Sequence, residues 1–183
     1  MKRSYFIIIS IMILFISKSN ASDPVGLKSV GAMGGILVPQ NTWNNGLAVE
    51  LQSELGEIIK YVFLVSQIGY WHAGQNKEGQ DLTYTNIYFG SKFIGFFNTK
   101  PRGFYAGLGI QYHIISQDEL LSGIDVVENE IVTRNISRVG YSIVAGYLLK
   151  LKNVSFSFEP RYTLLPGTED MITISIGAGY LLP

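Results

Sequence analysis

Eight side chains between Glu50 and Arg161 have types that could do chemistry together: Glu50, Gln52, Lys92, Gln111, His113, Arg138, Glu159 and Arg161. Each sits among apolar or small residues rather than in a charged run, so each is a candidate for burial. Buried acids and bases must satisfy one another, because an unpaired buried charge is very costly. The set therefore suits a hydrogen-bonded ionic network. The alternative use of the same groups is a gated path for protons or small ions. Catalysis finds less support. The chain has 2 histidines, His72 and His113, and no cysteine. Neither histidine has a serine two residues on, so no nucleophile–base pair is spelled out. Their spacing makes no metal site, and thiolate chemistry is excluded. No catalytic residue, metal ligand or cofactor is expected.

The elements that must position these residues alternate with a period of two. In "NVSFSFEPRYTLLPG" (153–167), Val154, Phe156, Phe158, Pro160, Tyr162 and Leu164 share one face, and Ser155, Ser157, Glu159, Arg161 and Thr163 the other. The same pattern runs through "MITISIGAGYLL", "RVGYSIVAGYLLK", "GFYAGLGIQYHII" and "GLAVELQSEL". Noisier segments are "SVGAMGGILV", "EIIKYVFLVSQIGYW" and "LTYTNIYFGSKFIGFF". That makes eight strands and no helix, and eight is a common size for a closed up-and-down barrel. The connections read "PQNTWNNG", "LGE", "HAGQNKEGQD", "NTKPRG", a long one at 116–135, "LKN" and "PGTED". Short ones alternate with longer ones until the last, which is short where a longer one is due. Pro160 removes a ladder donor, so a bulge or a rim position is expected there.

Residues 1–21 read as a cleaved signal peptide: Lys2 and Arg3, an apolar run at 6–16, and small residues at Ser19 and Ala21. The eleven-residue run falls short of the roughly 20 that a spanning helix needs. Residues 22–183 form one domain. Removing Lys2, Arg3 and Lys18 leaves 11 basic against 14 acidic side chains, and no basic patch invites nucleic acid.

The polar face decides which way the barrel is turned. A water-facing exterior needs many lysines and glutamates, yet charged residues make up only 15 % of the chain. The polar face here is mostly Gly, Ser, Thr and Gln, which suits a cramped lumen. Strands that alternate for 11 or more residues are long enough to cross a bilayer tilted. Trp43, Tyr70, Trp71, Phe96, Phe97, Phe104, Tyr162 and Tyr180 fall near strand ends, as interfacial girdles require. The fold expected is an all-β, eight-stranded antiparallel transmembrane barrel, with a soluble lipocalin-like carrier as the alternative.

The "GFYAGLGIQY", "GYSIVAGYLL" and "FEPRYTLL…ISIGAGYLL" runs resemble the small eight-stranded outer-membrane β-barrels of Gram-negative bacteria, the group containing the transmembrane domain of OmpA and the OmpX-like proteins. The resemblance covers residues 22–183 in architecture and is diffuse at the residue level. Members of that group usually finish on an aromatic residue, whereas this chain reads "YLLP". The resemblance implies residence in the outer membrane as a monomer surrounded by lipid. It also implies a structural, adhesion or partner-binding role through surface loops. Some such barrels modify lipid A, and "GYWHAG" at 69–74 resembles the aromatic-rich second hairpin of the deacylase type. That type carries a His-x-Ser pair on its penultimate strand, where this chain has Arg161 and Thr163.

The long connection at 116–135 carries Asp118, Glu119, Asp125, Glu128 and Glu130 without a calcium-loop spacing. Its apolar members, among them Leu120, Leu121, Ile131 and Val132, point to a hairpin extended above the membrane. An exposed β-edge there would suit an extracellular protein or peptide partner. The triplets at Asn135 and Asn153 match a glycosylation site by chance.

Overall fold

The computed structural model describes residues 25–40, 42–98, 100–121 and 130–182. The segment read as a signal peptide and the acids Asp125 and Glu128 lie outside the described residues, as does the side chain of Glu130. The chain forms β1 (Val25–Pro39), β2 (Gly46–Ile59), β3 (Val62–Lys77), β4 (Gln80–Phe96), β5 (Gly103–Leu121), β6 (Glu130–Leu151), β7 (Val154–Leu164) and β8 (Met171–Leu181). Each strand pairs antiparallel with the next, and β8 returns to β1, closing the sheet. Closure leaves no edge within the barrel wall.

Alternation along each strand sorts the side chains. Outward-facing residues are apolar and open: Ile176 is 69 % exposed, Leu47 66 % and Leu108 62 %. Phe97, Phe104, Tyr147 and Tyr180 ring one end, and Tyr70 and Tyr141 lie toward the other. An 11-residue strand such as β7 extends about 36 Å and rises about 26 Å when tilted by about 45°. That matches an apolar band about 25 Å tall. The soluble-carrier alternative fails here, because its apolar face would have to point inward.

The lumen is filled in layers. At the end bearing the longer loops, Leu37, Trp71, Tyr84, Tyr88, Ile115, Leu165 and Met171 pack together, with Trp43 against them. At the end bearing the described chain termini, Phe63, Val65, Ile94, Phe96, Tyr105 and Val144 form a second cluster. Charged residues lie between the two. Gly69 makes one of these contacts possible, since an added Cβ would lie 2.3 Å from the Tyr88 ring.

The structure departs from the sequence reading at four places. The "LGE" stretch is not a turn. The β2–β3 register shifts between Glu54 and Glu57, with Gly56 at φ 94°, and the chain turns at Lys60 and Tyr61 instead. Tyr61 takes φ 70°, and its N–H is held by the Glu57 carboxylate. "HAGQNKEGQD" is not a long loop either. β3 and β4 continue through it to a two-residue turn, Glu78 and Gly79, at φ 54° and 79°. Positive φ at both central residues matches the right-handed twist of the flanking strands.

Pro160 sits within β7, at neither a bulge nor a rim. The β6–β7 pairing passes from Val144↔Arg161 to Tyr147↔Phe158 in unchanged frame, skipping the pairs that Glu159 and Pro160 would complete. A residue without an N–H cannot fill its place in the ladder, and the pairing resumes beyond it. Finally, the girdle is smaller than the sequence suggests. Trp71 (1 % exposed) and Phe96 (8 %) are lumen residues, and Trp43 lies at the mouth.

Candidate functional site

The lumen's middle layer is an ionic cluster drawn from three strands. Glu50 comes from β2, Lys92 from β4, and Glu159 and Arg161 from β7. All four are buried. Arg161 grips Glu50 with two nitrogens, at 2.6 and 3.0 Å, and Glu159 through Nη2 at 2.6 Å and Nε at 3.2 Å. Lys92 donates to Glu159 at 2.5 Å and stands 3.8 Å from Glu50. Two tyrosines complete the cluster: Tyr88 donates to Glu50 at 2.5 Å and Tyr105 to Glu159 at 2.7 Å. Charge balances, two carboxylates against two cations, and charge-assisted bonds of this kind are the strong ones. β2 and β7 are not neighbours in the ring, so the Arg161–Glu50 pair is a strut across the lumen.

Six of the eight residues singled out in the sequence are therefore buried within the barrel. Gln111 donates to Ser142 at 2.7 Å, and the Asn86 amide lies 2.9 Å from His113 Nδ1. These two pairs form a polar level between the cluster and the loop-end apolar layer, with His113 packed on Trp71 and Tyr88. Gln52 is only half-buried. It lines a small cavity of about 40 Å³ on the other side of Lys92, with Glu54 and Tyr105. Arg138 is exposed at the loop end, contacting the Ser137 carbonyl at 3.1 Å. Tyr88 and Tyr105 were not in the sequence-derived set, yet both share the alternation phase of Lys92 or Gln111. Phase was the available signal.

A second feature stands above the membrane. β6 has 22 residues, about twice what a crossing needs, and its partner β5 has 19. The two pair from Gly103↔Leu148 to Leu121↔Glu130. β6 meets β7 only from Tyr141↔Leu164 onward, so, among the described residues, 130–140 pair with β5 alone. The base of this hairpin is tied to β4. Asp118 Oδ2 accepts from the Thr83 N–H at 3.0 Å and hydroxyl at 2.6 Å, and its Oδ1 from Thr133 at 2.7 Å. The Thr83 hydroxyl, with that of Thr133, holds the Asp118 carboxyl below its ordinary pKa. A depressed carboxylate stabilises the fold above its unfolded pKa, and the contribution fades as pH falls through the folded one. The protection factor of the Thr83 amide is accordingly expected to hold through the ordinary carboxylate range and to fall only in stronger acid. Protection lost already near neutral pH would show that the carboxylate does not hold the strand.

A closed eight-stranded ring, an apolar exterior with aromatic rims and a packed lumen together define the eight-stranded outer-membrane β-barrel. The fold is that of a bacterial outer-membrane protein. Among solved structures the chain is similar to Neisserial surface protein A, at 12 % identity and a TM-score of 0.53 over 84 % of this chain and 95 % of that one. It also matches Ail, the attachment invasion locus protein of Yersinia pestis, solved with the heparin analogue sucrose octasulfate, at 14 % identity and 0.49 over 85 % and 97 %. The outer-membrane enzyme PagL matches at 13 % and 0.45 over 84 % and 99 %. No protein-family model and no curated protein matches the sequence.

Proposed function

We propose that the protein is a non-enzymatic, monomeric barrel of residues 22–183, exported by the signal peptide at 1–21, that binds an extracellular protein or peptide through its β5–β6 hairpin. The observation that carries this reading is the one-sided pairing of residues 130–140. An unpaired strand offers a row of N–H and C=O groups that an extended peptide can complete. The ionic cluster serves as a seal, holding opposite walls together while closing the lumen to solute. Catalysis on lipid is disfavoured by geometry. Arg161 and Thr163, at the positions of the deacylase pair, are 5 % and 1 % exposed inside the lumen, where no acyl chain arrives. His113 is likewise interior, and His72, on the outer face, stacks on Tyr70.

The test replaces residues 119–132 by a short Gly-Ser turn in cells that display the protein. Adherence to epithelial monolayers is expected to fall to the level of cells lacking the protein. The unheated and heated gel positions of the barrel should stay different, showing that it still folds. Undiminished adherence of the trimmed protein would overturn the hairpin assignment. Loss of an acyl chain from lipid A on expression, seen by mass spectrometry, would overturn the non-enzymatic one.

A further inference from the structure

The loop-end mouth of the barrel is a cup of about 500 Å³, lined by Trp43, Gln75, Lys77, Glu119, Arg134 and Arg138 among others. Volumes of 300–1,000 Å³ are typical of small-ligand sites. The cup is blind, because Trp71, Tyr84, Ile115 and Leu165 close its floor. A solute entering it would be held rather than passed on.

Strand phase and pairing set the chemistry of its wall. Asp118 lines the rim of the cup with its carboxylate held by the hydroxyls of Thr83 and Thr133. On the inner face Glu119 lies 3.6 Å from Arg134, and Glu169 accepts the Thr42 N–H at 2.7 Å. Among the described residues, no carboxylate lies within ion-pairing distance of Lys77 or Arg138. Around the cup Lys77, Arg134 and Arg138 stand against Asp118, Glu119 and Glu169, and the cations left for a ligand are Lys77 and Arg138. Other groups on the wall suit a polyhydroxylated ring. The Gln75 Oε1 is buried without a protein partner, and the Trp43 indole, 5.6 Å from the Tyr84 ring, offers an apolar surface. Hydroxyls of Thr42 and Thr168 line the same space.

We propose that this cup binds a small anionic saccharide, its carboxylate or phosphate on Arg138 and Lys77, its ring against Trp43 and a hydroxyl donating to Gln75. The proposal does not rest on the hairpin edge: Arg134, Ile136 and Arg138 belong to that segment, but the edge would use backbone groups and the cup side chains.

The chain's 2 tryptophans make the test direct, since Trp71 is sealed in the lumen and Trp43 is at the mouth. The full-length product, purified from outer membranes in detergent, is titrated with glucuronate, glucose and inorganic phosphate while tryptophan emission is followed. Glucuronate is expected to give a saturable change that is lost in Trp43→Phe, with a dissociation constant about tenfold below that of glucose. Arg138→Ala should weaken glucuronate about tenfold, with Arg138→Lys recovering part of the loss. Both variants should keep the heat-dependent gel shift. Repeating the titration in lipid discs with and without lipopolysaccharide separates two sources of the same chemistry. Competition there assigns the ligand to glycolipid sugars, and its absence to free ones. Equal affinity for glucose and glucuronate, or for phosphate and glucuronate, would overturn the proposal. So would the absence of saturation by both emission and saturation-transfer NMR.

Discussion

Replacing Arg161 by leucine should lower the unfolding free energy of the refolded barrel by about 3–5 kcal/mol, read from urea midpoints in lipid vesicles. Arg161 is the hub of the cluster, hydrogen-bonded to both Glu50 and Glu159. Without it the two carboxylates share Lys92 alone, which reaches Glu159 at 2.5 Å but stands 3.8 Å from Glu50. One negative charge is then buried without compensation, and the loss comes mainly from that stranded charge rather than from the missing bonds. A second substitution separates these causes. Adding Glu50→Leu to Arg161→Leu restores neutrality and leaves the Lys92–Glu159 pair intact. The double variant should therefore be more stable than the Arg161 variant alone, although it has lost more polar contacts. The interaction energy is then larger than the loss caused by Glu50→Leu alone. Simple additivity of the two losses would show that the residues do not act as one network.

Ile174→Lys should destabilise the barrel by about 2–4 kcal/mol and reduce the fraction that resists gel detergent before heating. Ile174 lies within β8, between Ile36 of β1 and Pro160 of β7, and is 44 % exposed on the outer face. An ammonium group there must either enter hydrocarbon or drag its stem to an interface. Val132→Lys supplies the control. Val132 lies in the hairpin that stands above the membrane, so its substitution should change stability by about 0.5 kcal/mol or less. Equal losses at the two positions, or none at Ile174, would mean that the apolar face does not meet lipid.

Much of this architecture was legible locally. Alternation in β5 to β8 revealed which residues share a face, because a strand's side-chain period of two is written in neighbouring residues. The scarcity of charge on the polar face then turned that face inward. The same phase placed Glu50, Lys92, Gln111, His113, Glu159 and Arg161 in the lumen. It failed where local cues mislead. Trp71 and Phe96 fall at or near the ends of the segments that the sequence delimits, as girdle residues do, but their phase points them inward. Gly56 marks a register shift rather than a turn, because the strand resumes beyond it and Tyr61 accepts the positive φ.

The amino-acid sequence by itself thus determined the number of crossings, the membrane setting and the chemical make-up of the lumen. Tertiary structure alone decided which charges meet. Arg161 reaches Glu50 across 111 positions of chain only because the closed, tilted ring brings their levels together. The same closure leaves Arg138 in the mouth and Gln52 beside a small cavity, although their alternation phase matches that of the clustered residues. Phase is a local property of each strand. Height within the lumen depends on the stagger between all eight strands, which no single segment encodes.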